Sequence, residues 1–178
     1  LTPFERSTFD EKALQSMRYG DALYGLPASQ DCLSLLFNRA LFDAEGLAYP
    51  NPNWTTNDLI SAAENLTHGD VYGLAIPVKA AYWWFPFQAG FGGQLFDSNG
   101  TPSLDSNGSA DALDWYLSLE QEYEVVRTGT VGETMKSQFI QSQAAMIVDG
   151  PWNWATYEAG RLDIGQTLLP IVEETGLR

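Results

Sequence analysis

Ala144-Ala145-Met146-Ile147-Val148-Asp149-Gly150-Pro151-Trp152-Asn153-Trp154 is the stretch that organises the chain. Its first five residues make an uninterrupted apolar run of strand length, the pattern of a strand covered on both faces. Pro151 cannot continue a strand, and it fixes the direction of the chain beyond it. A short helix is predicted over 152–158. Trp152 therefore falls where a sheet ends and a helix begins.

Working outward, a helix over 132–141 feeds this strand and a further strand over 164–168 follows it. Two other apolar runs of strand length stand at 32–37 and 72–76. Between them the spacing predicts helices at 38–45, stopped by Gly46, and at 56–66. The latter places Leu59, Ala62, Ala63 and Leu66 on one face, with Thr55 or Thr56 as its cap and Asp58 favouring the helix dipole. An aromatic helix at 82–89 ends in the glycines at 90, 92 and 93. A helix at 110–122 would bury Ala112, Leu113, Tyr116 and Leu117, with Leu119 as a further candidate. Near the start, 9–17 reads as a helix capped by Thr8, and 24–27 as a strand or its exit. Asn99-Gly100 and Asn107-Gly108 read as turns, and the prolines within 49–53 demand a loop. Strands interleaved with helices give an α/β fold whose sheet is mixed or mostly parallel.

Composition narrows the function. The 178 residues include six Trp, eight Tyr and nine Phe, enough for a packed core with aromatics to spare. The net charge of -14 would repel phosphate backbones and anionic lipid, which argues against nucleic acid and membrane surfaces as partners. It does not oppose a neutral ligand. No stretch approaches the roughly 18 apolar residues of a membrane span. The single cysteine, Cys32, excludes an internal disulfide and reads as a small buried hydrophobe at the head of its strand. No Cys or His spacing fits zinc, and Asp97-Ser98-Asn99-Gly100 lacks the later ligands of a calcium loop, so no metal or other cofactor is expected.

Four segments together resemble the extracellular sugar-binding proteins of ABC importers, the family that includes maltose-binding protein. They are Tyr24-Gly25-Leu26-Pro27 with the following 31–38 and Leu41-Phe42; Pro52-Asn53-Trp54-Thr55-Thr56-Asn57-Asp58-Leu59; Tyr82-Trp83-Trp84-Phe85-Pro86-Phe87 leading to Gly92-Gly93; and Phe139 with the 144–154 string, Gly165 and Leu169-Pro170. The Ala-Met-apolar-x-x-Gly-Pro-Trp pattern is the most specific. Members of that family have two lobes and about twice this length. The resemblance therefore implies one lobe of a type II periplasmic-binding-protein fold. Residues 1–30 would be the end of a first-lobe segment and the hinge crossing, 31–170 the second lobe, and 171–178 the start of a return crossing. The chain opens at Leu1 and is read as a processed or excised fragment. The implied role is non-catalytic capture of a sugar or oligosaccharide and its delivery to a membrane permease. The implied location is periplasmic or extracellular, with a cell-surface lipoprotein expected where there is no outer membrane.

A pyranose has two apolar C–H faces and a rim of hydroxyls, so its site needs exposed aromatic rings with a few polar groups beside them. The resemblance puts stacking roles on Trp152 and Tyr82 and a further aromatic contact on Trp83. Trp152 can alternatively be a core aromatic capping the sheet, and Trp154 is either a second contact or, the favoured reading, core. Four successive aromatics cannot all face inward on one helix, so at least one of Tyr82, Trp83, Trp84 and Phe85 must be exposed. Asp31 matches a sugar-binding acidic position, where a carboxylate would accept from vicinal hydroxyls, or else it is a turn residue. Members often carry an acidic residue two positions before the Tyr; this chain has Ala80, which points to a ligand other than maltose.

Two other classes compete. A glycoside hydrolase fragment needs two positioned carboxylates, whereas the charged run around Glu120, Glu122 and Glu124 reads as a solvated helix end. An autonomous carbohydrate-binding module is mostly a β-sandwich, and this chain carries too much helix for that.

Overall fold

The computed structural model describes residues 2–178, which divide into two units, the first ending at Cys32 and the second running from Leu33 to Arg178. The first unit holds α1 (Pro3–Ser7), α2 (Glu11–Ser16) and a hairpin of β1 (Arg18–Tyr19) with β2 (Ala22–Leu23). Asp10, not Thr8, caps α2: its carboxylate accepts the Ala13 N–H at 3.0 Å. Thr8 instead closes α1, which a capping box of Thr2 and Glu5 opens. The strand expected at 24–27 is irregular backbone, tied to the hairpin by the Tyr24 N–H on the Met17 carbonyl. Cys32 also departs from expectation. It is exposed, because the strand that follows begins only at Ser34.

The second unit carries the sheet. Its elements are β3 (Ser34–Asn38), α3 (Arg39–Glu45), α4 (Thr56–Leu66), β4 (Tyr72–Ala75), α5 (Ala81–Gly90), α6 (Asn107–Gln121), α7 (Gly132–Ile140), β5 (Ala144–Asp149), α8 (Trp154–Ala159) and β6 (Ile164–Thr167). The strand order is β4-β5-β3-β6. β4 runs parallel to β5, while β3 is antiparallel to both β5 and β6, so the sheet is mixed and not mostly parallel. Pairing Leu35 with Val148 and Leu36 with Ile147 sends alternate residues to opposite faces. Leu35, Phe37, Leu74, Met146 and Val148 pack with Phe42, Leu59, Leu66, Tyr116 and Leu119 from the helices. Leu36, Ala75 and Ile147 pack on the other side with Met135, Phe139 and Tyr157. Both faces being covered is why β3 and β5 are apolar without alternation.

Local chemistry sets the helix ends. Gly46 stops α3 in the left-handed region (φ 65°), where its N–H reaches the Phe42 and Asp43 carbonyls. Thr55 and Asp58 form a reciprocal capping box at the start of α4. Two expectations for α6 fail together. Asn107-Gly108 is not a turn but the first turn of the helix, capped by Ser106. A Cβ on Gly108 would fall 2.5 Å from the Phe91 carbonyl oxygen, so the glycine there serves a close approach of chains. Leu113 is exposed, since Ala112, Tyr116 and Leu119 occupy the buried stripe and Leu113 lies off its edge.

Candidate functional site

The parallel pair β4 and β5 brings two loop exits to one end of the sheet. Leaving β4, the chain turns at Pro77, whose carbonyl accepts the Ala80 N–H at 3.0 Å and the Tyr116 hydroxyl at 3.1 Å. It then enters α5, with Tyr82 in the first turn. Leaving β5, it passes Gly150 into a 3-10 turn, Pro151–Asn153, with Trp152 at the centre. Loops at the carboxyl ends of parallel strands are where ligands bind in α/β sheets.

These two exits place Tyr82 and Trp152 together. Their ring centroids are 6.1 Å apart and their planes are inclined at 59°. Tyr82 is 55% exposed and Trp152 45%, values far above those of the core aromatics. Trp83 stands edge-on to Tyr82, with centroids 5.2 Å apart. Its indole N–H donates to the Val148 carbonyl at 3.0 Å, so its polar atom is spent on anchoring α5 to β5. Of the aromatic run, Tyr82 and Phe85 are exposed while Trp83 and Trp84 are half-buried.

Trp154 is placed apart from the pair. Trp154 borders a hollow of about 340 Å³ with Leu36, Tyr157, Glu158, Leu162 and Asp163, and that hollow takes in neither Tyr82 nor Trp152. At 39% exposure Trp154 is not a core residue. Asp31 belongs to the first unit and is exposed.

Asp149, Asn153 and Tyr157 receive no role from the sequence, yet the structure joins them. Asp149 ends β5 and is fully buried. Its carboxylate accepts the Gly150 N–H and the Asn153 amide, each at 2.9 Å, and the Tyr157 hydroxyl. Burial, with this hydrogen bond second, pushes the Tyr157 phenol well above its usual range. The signal that would have found Asp149 is an acid directly continuing an apolar strand.

The exposed surface of the pair is aromatic and uncharged. It offers stacking area and a phenol, which suits a neutral ligand with apolar faces. Among the described residues, no cluster of three or more His, Cys, Asp or Glu could hold a metal ion, and no helix is long and apolar enough to cross a membrane.

The profile of the bacterial extracellular solute-binding proteins matches residues 2–167. The chain belongs to this family. Among curated solute-binding relatives, the maltodextrin-binding protein MdxE of Bacillus subtilis is 24% identical over 96% of this chain and 42% of its own length. The galactooligosaccharide-binding protein of Bacillus subtilis is 24% identical over 94% of this chain and 41% of its own. The chain thus spans about two-fifths of the length of these relatives. Among solved structures, an ABC substrate-binding protein from Listeria monocytogenes in complex with cycloalternan superposes with a TM-score of 0.84 at 24% identity, covering 97% of this chain and 45% of that one. The Thermus thermophilus maltotriose binding protein, bound with maltotriose, gives 0.81 at 23% identity, over 98% of this chain and 47% of that one. The fold of this chain is accordingly that of type II periplasmic binding proteins, a mixed sheet flanked by helices.

Proposed function

We propose that the protein carrying this chain is the oligosaccharide-binding component of an ABC importer, and that Trp152 and Tyr82 are the stacking surface for the sugar. The observation that carries this reading is the pair of exposed, adjacent rings at the carboxyl ends of β4 and β5. Large aromatics left half-open to water cost solvation that packing would recover, so a contiguous exposed pair at a ligand-binding end of the sheet supports a binding role. Membership in an extracellular solute-binding family, with relatives named for maltodextrin and galactooligosaccharide, supports the ligand class.

In this reading Trp83 backs Tyr82 and lends the edge left exposed. Asp31 is assigned as an acceptor of sugar hydroxyls, on the resemblance and its exposed carboxylate. Trp154 is a secondary contact, outside the main pair. Residues 1–30 end a first-lobe segment, 31–170 form the second lobe and 171–178 begin a return crossing. The protein captures its sugar outside the cytoplasm without altering it and delivers it to a membrane permease. It is periplasmic, or a cell-surface lipoprotein where there is no outer membrane.

Tryptophan emission of the full-length protein, titrated with a panel of linear and cyclic oligosaccharides, tests this. A saturable change with at least one of them is expected, and no linkage should be cleaved on prolonged incubation. Hydrolysis of a bound oligosaccharide would replace the transport reading with the glycosidase one.

A further inference from the structure

We propose that Asp149 is a positioning residue for the Trp152 platform, its buried carboxylate gathering the segment 150–157 so that the indole stands beside Tyr82. The proposal rests on the reading of Trp152 as a ligand surface.

Asp149 is the last residue of β5 and pairs with Ser34 across the sheet. The apolar residues before it, Ile147 and Val148, already fill the two sides of the sheet, so packing alone does not call for a carboxylate there. Among the described residues no Lys, Arg or His forms an ion pair with it. A buried carboxylate without a cation is unfavourable unless donors occupy its lone pairs. Here the donors to the carboxylate all come from the segment that Asp149 introduces: the Gly150 backbone N–H on Oδ1, and the Asn153 amide and Tyr157 hydroxyl on Oδ2.

Those donors bracket Trp152. Gly150 and Asn153 flank the turn that carries it, and Tyr157 ties in the following helix α8. Of the turn's backbone bonds, Asn153 N–H to the Gly150 carbonyl is long at 3.4 Å, and Trp154 N–H donates to the Pro151 carbonyl. The carboxylate adds side-chain closures from Asn153 and Tyr157 to these. Meanwhile the carbonyl of the preceding residue, Val148, accepts the Trp83 indole N–H. Two consecutive residues at the end of one strand thus hold the turn that carries Trp152 and the indole of Trp83, which stands edge-on to Tyr82.

The test uses the full-length protein labelled with 5-fluorotryptophan, the Trp152 resonance being identified by its loss in Trp152→Phe. Ring currents from Tyr82 make that resonance a reporter of the indole's place. In Asp149→Ala it should move toward the position of free fluorotryptophan while the other indole resonances stay. Maltotriose, or whichever panel sugar binds the parent, should bind at least tenfold more weakly. Asp149→Asn keeps an acceptor for the Gly150 N–H but turns an amide NH2 toward the Asn153 and Tyr157 donors, so it should recover only part of either. An unmoved Trp152 resonance in folded Asp149→Ala overturns the proposal. If that variant does not fold, Asn153→Ala and Tyr157→Phe each remove one donor without adding volume, and an unmoved resonance in both overturns it equally. Should the parent bind no sugar at all, the proposed function fails while the fluorine arm still decides the positioning. A displaced indole with unchanged affinity would remove Trp152 from the site, and Asp149's role with it.

Discussion

The rings of Tyr82 and Trp152 meet at 6.1 Å although 70 positions separate them in sequence, because each follows the carboxyl end of one of two parallel, adjacent strands. The sheet, and not local sequence, makes the pair. Trp83 holds one ring through Val148, and the Asp149 network holds the turn beneath the other.

Gly150 should prove as important to that geometry as either ring. Its backbone (φ -109°) suits any residue, but an added Cβ would lie 2.0 Å from the Trp152 ring. The indole is the movable partner, being partly open to solvent. Gly150→Ala should therefore swing Trp152 away and weaken sugar binding by about 1–3 kcal/mol, the scale of a lost aromatic contact. Stability should change by less than about 1 kcal/mol. Near-ultraviolet circular dichroism and calorimetric affinity would check the two effects separately.

Alkaline titration should single out Tyr116 and Tyr157. Burial raises both phenols above the ordinary value, Tyr157 with help from Asp149. In the unfolded chain each ionises near pH 10. Their folded values lie higher, so the stability they contribute is complete below about pH 10 and is lost as pH rises beyond it. Phenolate absorbance should show these two of the eight tyrosines ionising only as the chain unfolds. Free ionisation of all eight in a folded protein at pH 11 would contradict the burial.

The cap on α4 gives a test of the second unit alone. Thr55 and Asp58 satisfy each other's N–H groups, and Thr55 also bridges Ile171 near the end of the chain. Thr55→Ala should cost about 1 kcal/mol, lowering Tm by a few degrees with no change in sugar affinity. Thr55→Ser should recover most of the loss.

Much of this architecture was legible beforehand. Apolar runs marked β3, β4 and β5, Gly46 marked one helix end and Thr55 or Thr56 another, of which the structure selects Thr55, since these signals are local. Strand direction was not local: β3 lies antiparallel between β5 and β6, and no periodicity distinguishes that from a parallel neighbour. Asn107-Gly108 misled because the glycine answers to a neighbouring chain segment and not to a turn. Cys32 misled because apolar neighbours downstream do not bury a residue that precedes the strand. Trp152 and Tyr82 were visible through the resemblance and through aromatic crowding. Asp149 left one trace, an acid directly continuing an apolar strand, but its partners Asn153 and Tyr157 come together only through the turn that follows.

The measurement that bears most directly on the account is titration calorimetry of the full-length protein and its Trp152→Ala variant against an oligosaccharide panel, beside the 178-residue chain alone. The full-length protein should bind one class of oligosaccharide, folded Trp152→Ala should bind it about 10–100-fold more weakly, and the isolated chain should bind it more weakly still. Each tenfold corresponds to about 1.4 kcal/mol. Equal affinity in the parent and a folded Trp152→Ala variant would contradict the assignment of the Tyr82–Trp152 pair as the sugar platform.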